Sequence, residues 1–433
     1  MPKFVVEGGH PIAGRLRPAG NKNAALPMIA AAVLTEEEVL LENVPDIKDV
    51  RTLLELLRSM GAEAEFREPG VVRIRAADVD PERMEPALAS KIRGSILLAG
   101  PMLARHGSMR LPPPGGDVIG RRRVDTHFLA LRKLGAEVLA DGDYRLRARG
   151  LAGADIFLDE PSVTATENAI MAAVLASGTT RLRNAAAEPH VQDLCAMLIG
   201  MGARIEGVGT ASVTIEGADS LRGGRFRIGS DHIEVGSFIG LAAMTGGALT
   251  IEDAAIEHLD STLLGFDRLG VRCEVRGDDL VVPADQAMEI RMDVGGHIPK
   301  IDDGPWPAFP ADLTSIALVV ATQCRGTVLI HEKMFESRMF FVDKIISMGA
   351  NIVLCDPHRA VVVGPSRLRG GQVDSPDIRA GMALLLAALA AHGTSEIREI
   401  GQIERGYERI DERLRALGAR IRRADSRGNG DRH

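Results

Sequence analysis

The stretch Leu111-Pro112-Pro113-Pro114-Gly115-Gly116-Asp117-Val118-Ile119-Gly120-Arg121-Arg122-Arg123 sets unlike chemistries side by side. Three prolines stiffen its approach, and two glycines then free the backbone. A carboxylate, Asp117, stands at the tip, and three consecutive arginines follow. A stiff base, a free tip, one acid and a basic cluster suit a lid that closes over an anionic substrate. The same stretch taken alone also describes an ordinary solvated loop. Two further places pair polar groups with apolar runs. Gly20-Asn21-Lys22-Asn23 puts a cation and two amides just before an apolar segment, and Asp312 precedes the run Leu313 to Ala321, where it could also cap a helix.

The elements that must position these groups form a repeat. A short phrase recurs six times, as Met60-Gly61-Ala62, Leu134-Gly135-Ala136, Met201-Gly202-Ala203, Leu269-Gly270-Val271, Met348-Gly349-Ala350 and Leu417-Gly418-Ala419. The copies are about 70 residues apart, the spacing of a supersecondary unit. An amphipathic segment precedes each phrase, glycine sits where a helix C-terminus needs a left-handed residue, and an alternating strand follows. Upstream in each unit lies an almost wholly apolar segment of helix length: Ala24 to Leu34, Ser95 to Ala104, Ala169 to Ala176, Phe238 to Met244, Leu313 to Ala321 and Ala380 to Ala391. A helix that is apolar all round is buried all round. The expected class is therefore α/β, with six units making two domains of three. The junction is expected between Gly223 and Ser230, with a second crossing near Gly20-Asn21-Lys22. This gives domains of 22–229, carrying a lid at 111–125, and of 1–21 plus 230–423. The polar end, 424–433, is expected to be disordered. Ligands commonly bind between such domains.

Composition excludes several classes. At 433 residues the chain exceeds one ordinary core. A formal charge of −7 gives no basic signature for nucleic acid or an anionic membrane. One tryptophan and two tyrosines are too few for base-stacking platforms. Four dispersed cysteines form no C-x-x-C pair, so neither a disulfide framework nor a zinc site is expected. No apolar run near Met1 suits a signal peptide, and the longest run, Met382 to Ala391, is about half a membrane span. A cytoplasmic protein with no membrane or nucleic-acid partner is expected.

Together the six copies, the Asn21-Lys22-Asn23 run and the Gly115-Gly116-Asp117 lid resemble the enolpyruvyl transferases, in the branch that uses a nucleotide sugar. The resemblance runs from Phe4 to about Arg423. It also rests on Ala165-Thr166-Glu167-Asn168, Pro307-Ala308-Phe309-Pro310-Ala311-Asp312 and Arg405-Gly406-Tyr407-Glu408-Arg409. It implies two inside-out α/β domains with buried helices inside and sheets outside. It implies transfer of the enolpyruvyl group of phosphoenolpyruvate to the 3-hydroxyl of UDP-N-acetylglucosamine, the first committed step of peptidoglycan synthesis, with no metal or organic cofactor. Cell-wall biogenesis, cell shape and cell division would depend on that step. Other acceptors, or an inactive regulatory paralogue that binds the UDP-sugar, are the alternatives.

By match to the family, Lys22, Asn23, Arg122, Arg338 and Arg405 would bind phosphoenolpyruvate, a compact anion that needs several cations in one place. Asp117, Lys22, Asp312 and Arg405 would be catalytic, with Asp117 the proton donor and Asp312 a base on the sugar hydroxyl. The UDP-sugar would meet Arg93, Arg122, Arg123, Val124, Asp125, Thr126, Ser162, Val163, Asp312 and Met334. Asp377 and Arg379 lie in a further matching segment. Departures fall mostly on the nucleotide and hinge side: Arg123 for a usual proline, Thr164 for glycine, Ala187 for arginine, His190 for glutamate, His232 for arginine, and Gly401-Gln402-Ile403-Glu404 for Tyr-His-Ile-Asp. Trp306 suits either a cleft wall or packing.

Asp117 stands where many members carry the cysteine that fosfomycin alkylates, and a carboxylate is a poorer nucleophile than a thiolate. Preincubation with fosfomycin and nucleotide sugar is expected to leave activity unchanged over time, and Asp117→Cys is expected to gain sensitivity. Time-dependent inactivation of the unaltered protein would refute this.

Overall fold

The structure, a computed structural model, describes residues 2–116 and 119–424. Asp117, at the tip of the expected lid, lies outside the described residues, as do 425–433 of the expected tail. Ala424 does not belong to a tail. It ends the strand Arg420–Ala424 and pairs with Lys3.

The described chain divides into two compact units. The inserted unit holds 20–116 and 122–229, and the terminal unit holds 2–19, 119–121 and 230–424. Within the terminal unit, the Ser337 N–H donates to Ile119 O at 3.1 Å.

Three apolar helices form the centre of each unit. In the inserted unit they are α1 (Lys22–Ala31), α2 (Ala99–His106) and α3 (Val163–Ala173). In the terminal unit they are α4 (His232–Thr245), α5 (Thr314–Ala321) and α6 (Ile378–Ala390). Every residue of α5 is buried, as is α6 from Ile378 to Leu389. Having no polar face, these helices are stable only when covered on every side.

The covering layer is sheet. Each unit has three sheets among its described residues. In the inserted unit, Gly224–Arg227 runs parallel to Val39–Glu42, which continues antiparallel into Val71–Arg75 and Glu63–Glu68. In the terminal unit, Lys3–Glu7 lies between Thr394–Arg398 and Arg420–Ala424, antiparallel to both. Strands such as Thr179–Arg183 alternate exposed and buried residues, because one face packs inward and the other meets water. The six phrase glycines all adopt positive φ, between 76° and 109°, as left-handed helix ends require.

The apolar segments are helical, but several helices begin earlier than hydropathy alone implies. α4 starts at His232, not Phe238, and α1 at Lys22, not Ala24. Ser95 to Leu98 belongs to a 3-10 stretch, Arg93–Leu98, that leads into α2.

The three terminal-unit helices meet at Gly240. A Cβ there would lie 2.8 Å from Val320, 3.1 Å from Ile316 and 3.5 Å from Leu386. Gly240→Leu is expected to lower stability by about 1–3 kcal/mol through overpacking, read as an earlier urea transition. An unchanged midpoint would contradict this close approach.

Candidate active site

Asp312 is the centre of the terminal unit's polar cluster. It lies in a 3-10 turn, Ala311–Leu313, just before α5. It does not cap that helix, whose N-cap is Leu313 with no side-chain bond. Its carboxylate goes to two arginines. Oδ1 accepts from Arg338 Nη2 at 3.0 Å, and Oδ2 from Arg379 Nε at 2.9 Å. The Arg338 and Arg379 side chains are only 3% and 6% exposed, whereas Asp312 keeps 28%. The carboxylate is therefore anchored by two buried arginines while staying partly exposed. Burial is the largest effect on both guanidiniums and works against their charge, but the surrounding groups, Asp312 foremost, together outweigh it, so both hold their protons more tightly than usual.

Each arginine is fixed by its own element. Arg379 occupies the first turn of α6, where Asp377 is the N-cap and accepts from Arg379 N at 2.8 Å and Ala380 N at 3.0 Å. Its guanidinium stacks over the Tyr407 ring at 5.4 Å. Arg338 opens the turn Arg338–Phe341 and lies 4.8 Å over Phe335. Arg405 is half-buried and donates to Gln402 Oε1 at 3.1 Å. Met334 is 39% exposed on the loop before Arg338.

The inserted unit has its own polar group at the start of α1. Asn21 caps the helix through the Asn23 N–H at 2.8 Å. Lys22 is almost fully buried and pairs with Asp49 at 2.8 Å. Only glycine fits before them, since a Cβ on Gly20 would lie 1.7 Å from Asn43 O. Arg93 donates to Arg123 O at 2.7 Å. Burial, and then the neighbouring Arg122, bring its pKa down to about 10. Two guanidiniums held this close favour an anion between them. Arg123 pairs with Asp125 and Asp159, both at 3.2 Å, and Thr126 donates to Asp159 at 2.7 Å.

Behind this face is a buried imidazole. The Asn168 amide is oriented by Gly100 N–H on Oδ1 and Ile96 O on Nδ2. Its Nδ2 therefore donates to His127 Nδ1 at 2.9 Å, which leaves the ring proton on Nε2, facing Thr164 Oγ1 at 3.0 Å. Ser162 is at the N-cap position of α3, and Val163 and Thr164 form its first turn.

A family profile described as EPSP synthase (3-phosphoshikimate 1-carboxyvinyltransferase) matches residues 6–414. A UDP-N-acetylglucosamine 1-carboxyvinyltransferase of Bradyrhizobium diazoefficiens is 62% identical over 98% of this chain and 99% of its own. Another, of Treponema denticola, is 56% identical over 97% and 99%. The chain belongs to the carboxyvinyl (enolpyruvyl) transferase family. In solved structures, the enolpyruvyl transferase NikO of Streptomyces tendae is similar with a TM-score of 0.86, at 26% identity over 98% of both chains. An EPSP synthase of Acinetobacter baumannii, 17% identical over 98% of this chain and 100% of its own, shares the fold with a TM-score of 0.75.

For a transferase of this family, the terminal unit brings together Asp312, Arg338, Arg379 and the cap Asp377. The inserted unit brings together Lys22 and Asn23, and separately Arg93, Arg122, Arg123, Asp125 and Thr126. Asp49, His127 and Glu332 were not singled out from the sequence. Only Asn168, His127's partner, carried a signal, as part of a matching motif. Trp306 packs edge-on against His232 at 6.0 Å and His258 at 6.2 Å. Among the described residues no cluster could hold a metal ion, and no helix is long and apolar enough to cross a membrane.

His127 and His232 are neutral in the fold. Burial first, then Arg93 for His127 and His258 for His232, lowers each from 6.5 to about 3. Unfolded, each protonates near its ordinary value. The stability that depends on their neutrality is thus present above about pH 6.5 and lost as the pH falls toward 3, at about 1.4 kcal/mol per pH unit for each ring. His232→Gln is expected to flatten the fall of urea midpoint between about pH 6.5 and about pH 4. An unchanged slope would show that this ring is already charged.

Proposed function

We propose that this enzyme transfers the enolpyruvyl group of phosphoenolpyruvate to the 3-hydroxyl of UDP-N-acetylglucosamine, releasing phosphate. The observation that carries the reading is Asp312, an anchored and partly exposed carboxylate in a chain 62% identical to a relative bearing that name. Asp312 would take the proton of the sugar hydroxyl as the hydroxyl oxygen adds to carbon 2 of phosphoenolpyruvate. Asp117 would supply the proton that carbon 3 gains. To hold a proton near neutral pH, Asp117 needs a raised pKa, which burial beneath a closed lid would provide. The tetrahedral adduct then loses a proton from carbon 3 and its phosphate, restoring the double bond.

Lys22, Asn23, Arg122, Arg338 and Arg405 are proposed to hold the phosphoenolpyruvate anion. Lys22 already lies against Asp49, so its charge is positioned before any ligand arrives. Arg93, Arg122, Arg123, Val124, Asp125, Thr126, Ser162, Val163, Asp312 and Met334 are proposed to meet the UDP-sugar. Asp377 acts through Arg379 by fixing the first turn of α6. The proposed setting is the cytoplasm, where both substrates are made.

Incubation with both substrates is expected to release phosphate and yield a nucleotide sugar heavier by one enolpyruvyl group, identified by mass. Asp312→Asn is expected to lower kcat by about a hundredfold or more, with a smaller change in KM for the sugar. Phosphate release with no such product would move the reading to another acceptor. Full activity in Asp312→Asn would remove its role as base.

A further inference from the structure

Behind Arg338, on the side away from Asp312, lies a second acid that the proposed reaction does not use. Glu332 is 0% exposed and Asp303 1%. The Glu332 backbone is fixed by His358: its N–H donates to His358 O, and its carbonyl meets His358 Nδ1, both at 2.8 Å. Oε1 accepts from Phe335 N–H at 3.2 Å. Asp303 Oδ1 accepts from Lys333 N–H. The other two carboxyl oxygens, Glu332 Oε2 and Asp303 Oδ2, form no ordinary hydrogen bond, and nor does Arg338 Nε, 3.5 Å from Glu332 Oε2. Yet the two carboxyl groups are within hydrogen-bonding reach of each other.

These orphans share one physical explanation. Two ionised carboxylates have no donor between them, and leaving both charged and buried is costly. A single proton turns the contact into a hydrogen bond and removes one charge. Burial first works in that direction. Despite Arg338, and with help from Asp303, it pushes the Glu332 carboxyl up to about 9. The Thr314 hydroxyl also faces the Glu332 carboxyl and its hydrogen bond works the other way, as the smallest of these effects, while the His358 ring meets the Glu332 carbonyl. The Lys333 ammonium is turned to Asp302.

We infer that Glu332 is a positioning residue for Arg338 that works as the neutral acid, sharing one proton with Asp303, so that Asp312 is the anion Arg338 balances. The consequence is electrostatic. With the proton in place, Asp312, Arg338 and Arg379 together carry one net positive charge toward an anionic ligand. Losing the proton takes the Glu332–Asp303 pair behind them from one negative charge to two and weakens that attraction. The inference deepens the reading of Arg338 as a phosphoenolpyruvate cation and rests on it.

The test compares the full-length protein with Glu332→Gln and Glu332→Ala, measuring kcat, KM for phosphoenolpyruvate and Tm between about pH 5 and about pH 10. Glutamine imitates the neutral acid. It is expected to stay within about threefold of the parent kcat/KM near neutrality, whereas alanine loses about tenfold or more. In the parent, KM for phosphoenolpyruvate is expected to climb above about pH 9 while kcat holds, and the glutamine variant is expected to lack that climb. Because the folded value is raised, the stability due to this proton is full below 4.5 and is lost as pH rises toward 9. The Tm of Glu332→Gln relative to the parent should therefore increase with pH across that window.

Asp303→Asn is the second variant. It removes a charge that favours the proton, so the climb in KM is expected to move to lower pH. Glutamine behaving like alanine, an alkaline climb that survives in Glu332→Gln, or a Tm difference indifferent to pH would each overturn the inference. If the parent protein does not consume phosphoenolpyruvate at all, the functional reading fails, and the Tm difference still decides the proton.

Discussion

Much of the terminal unit's active face depends on one carboxylate shared by two buried guanidiniums. Arg338 and Arg379 are too enclosed for water to solvate their charge, and a buried cation without a partner costs several kcal/mol. Asp312 meets both, with Oδ1 on one and Oδ2 on the other. The three side chains come from three elements: the turn before α5, the turn Arg338–Phe341 and the first turn of α6. The ion triad therefore fixes the mutual position of those elements at one end of the helical core. The rings of Phe335 and Tyr407 beneath the guanidiniums limit their movement further. Asp312 itself stays partly exposed.

Side chains cap three of the six central helices. The first N–H groups of a helix have no partner within it. Asn21, Asp231 and Asp377 each provide one, accepting from the first-turn amides of α1, α4 and α6. The polar residues that a sealed helix needs at its N-terminus are thus gathered where the helix dipole is positive. Lys22, Asn23 and Arg379 lie within those turns, and Val163 opens α3. Structural necessity and anion chemistry place polar groups at the same few positions, so the active residues need no separate framework.

This explains what could be read from the sequence. The apolar runs disclosed the helical core, and the recurring glycines disclosed where the outer helices end, as their positive φ values bear out. The helix starts were placed late at α1 and α4, because hydropathy sees only the apolar body and passes over a polar first turn. Residue pairings were hidden for a different reason. Asp312 and Arg379 are 67 positions apart, and Glu332 and Arg338 are linked only by the way a turn folds back. No local pattern encodes such contacts. Trp306 is half-buried and packs edge-on against His232 and His258. The family's usual arginine is absent at 232, and a neutral ring stands there instead.

That substitution fits a wider division between charged and uncharged buried groups. His127 and His232 lose their protons on burial, while Glu167 and Glu332 keep theirs, each driven first by desolvation. Burial thus favours the uncharged form of groups lying behind the candidate site. The charges that persist, on Lys22, Asp312, Arg338 and Arg379, are those with an opposite charge within 3.0 Å. A field in a poorly polarisable interior extends further than in water. Had the surrounding acids and imidazoles been ionised as well, their fields would overlap and blur the sign presented to a ligand. Within each unit, neutralising them leaves the potential to the groups that stay charged. An anion of the kind proposed would meet a lysine and arginines already held in place, which is the condition for electrostatic stabilisation at little reorganisation cost.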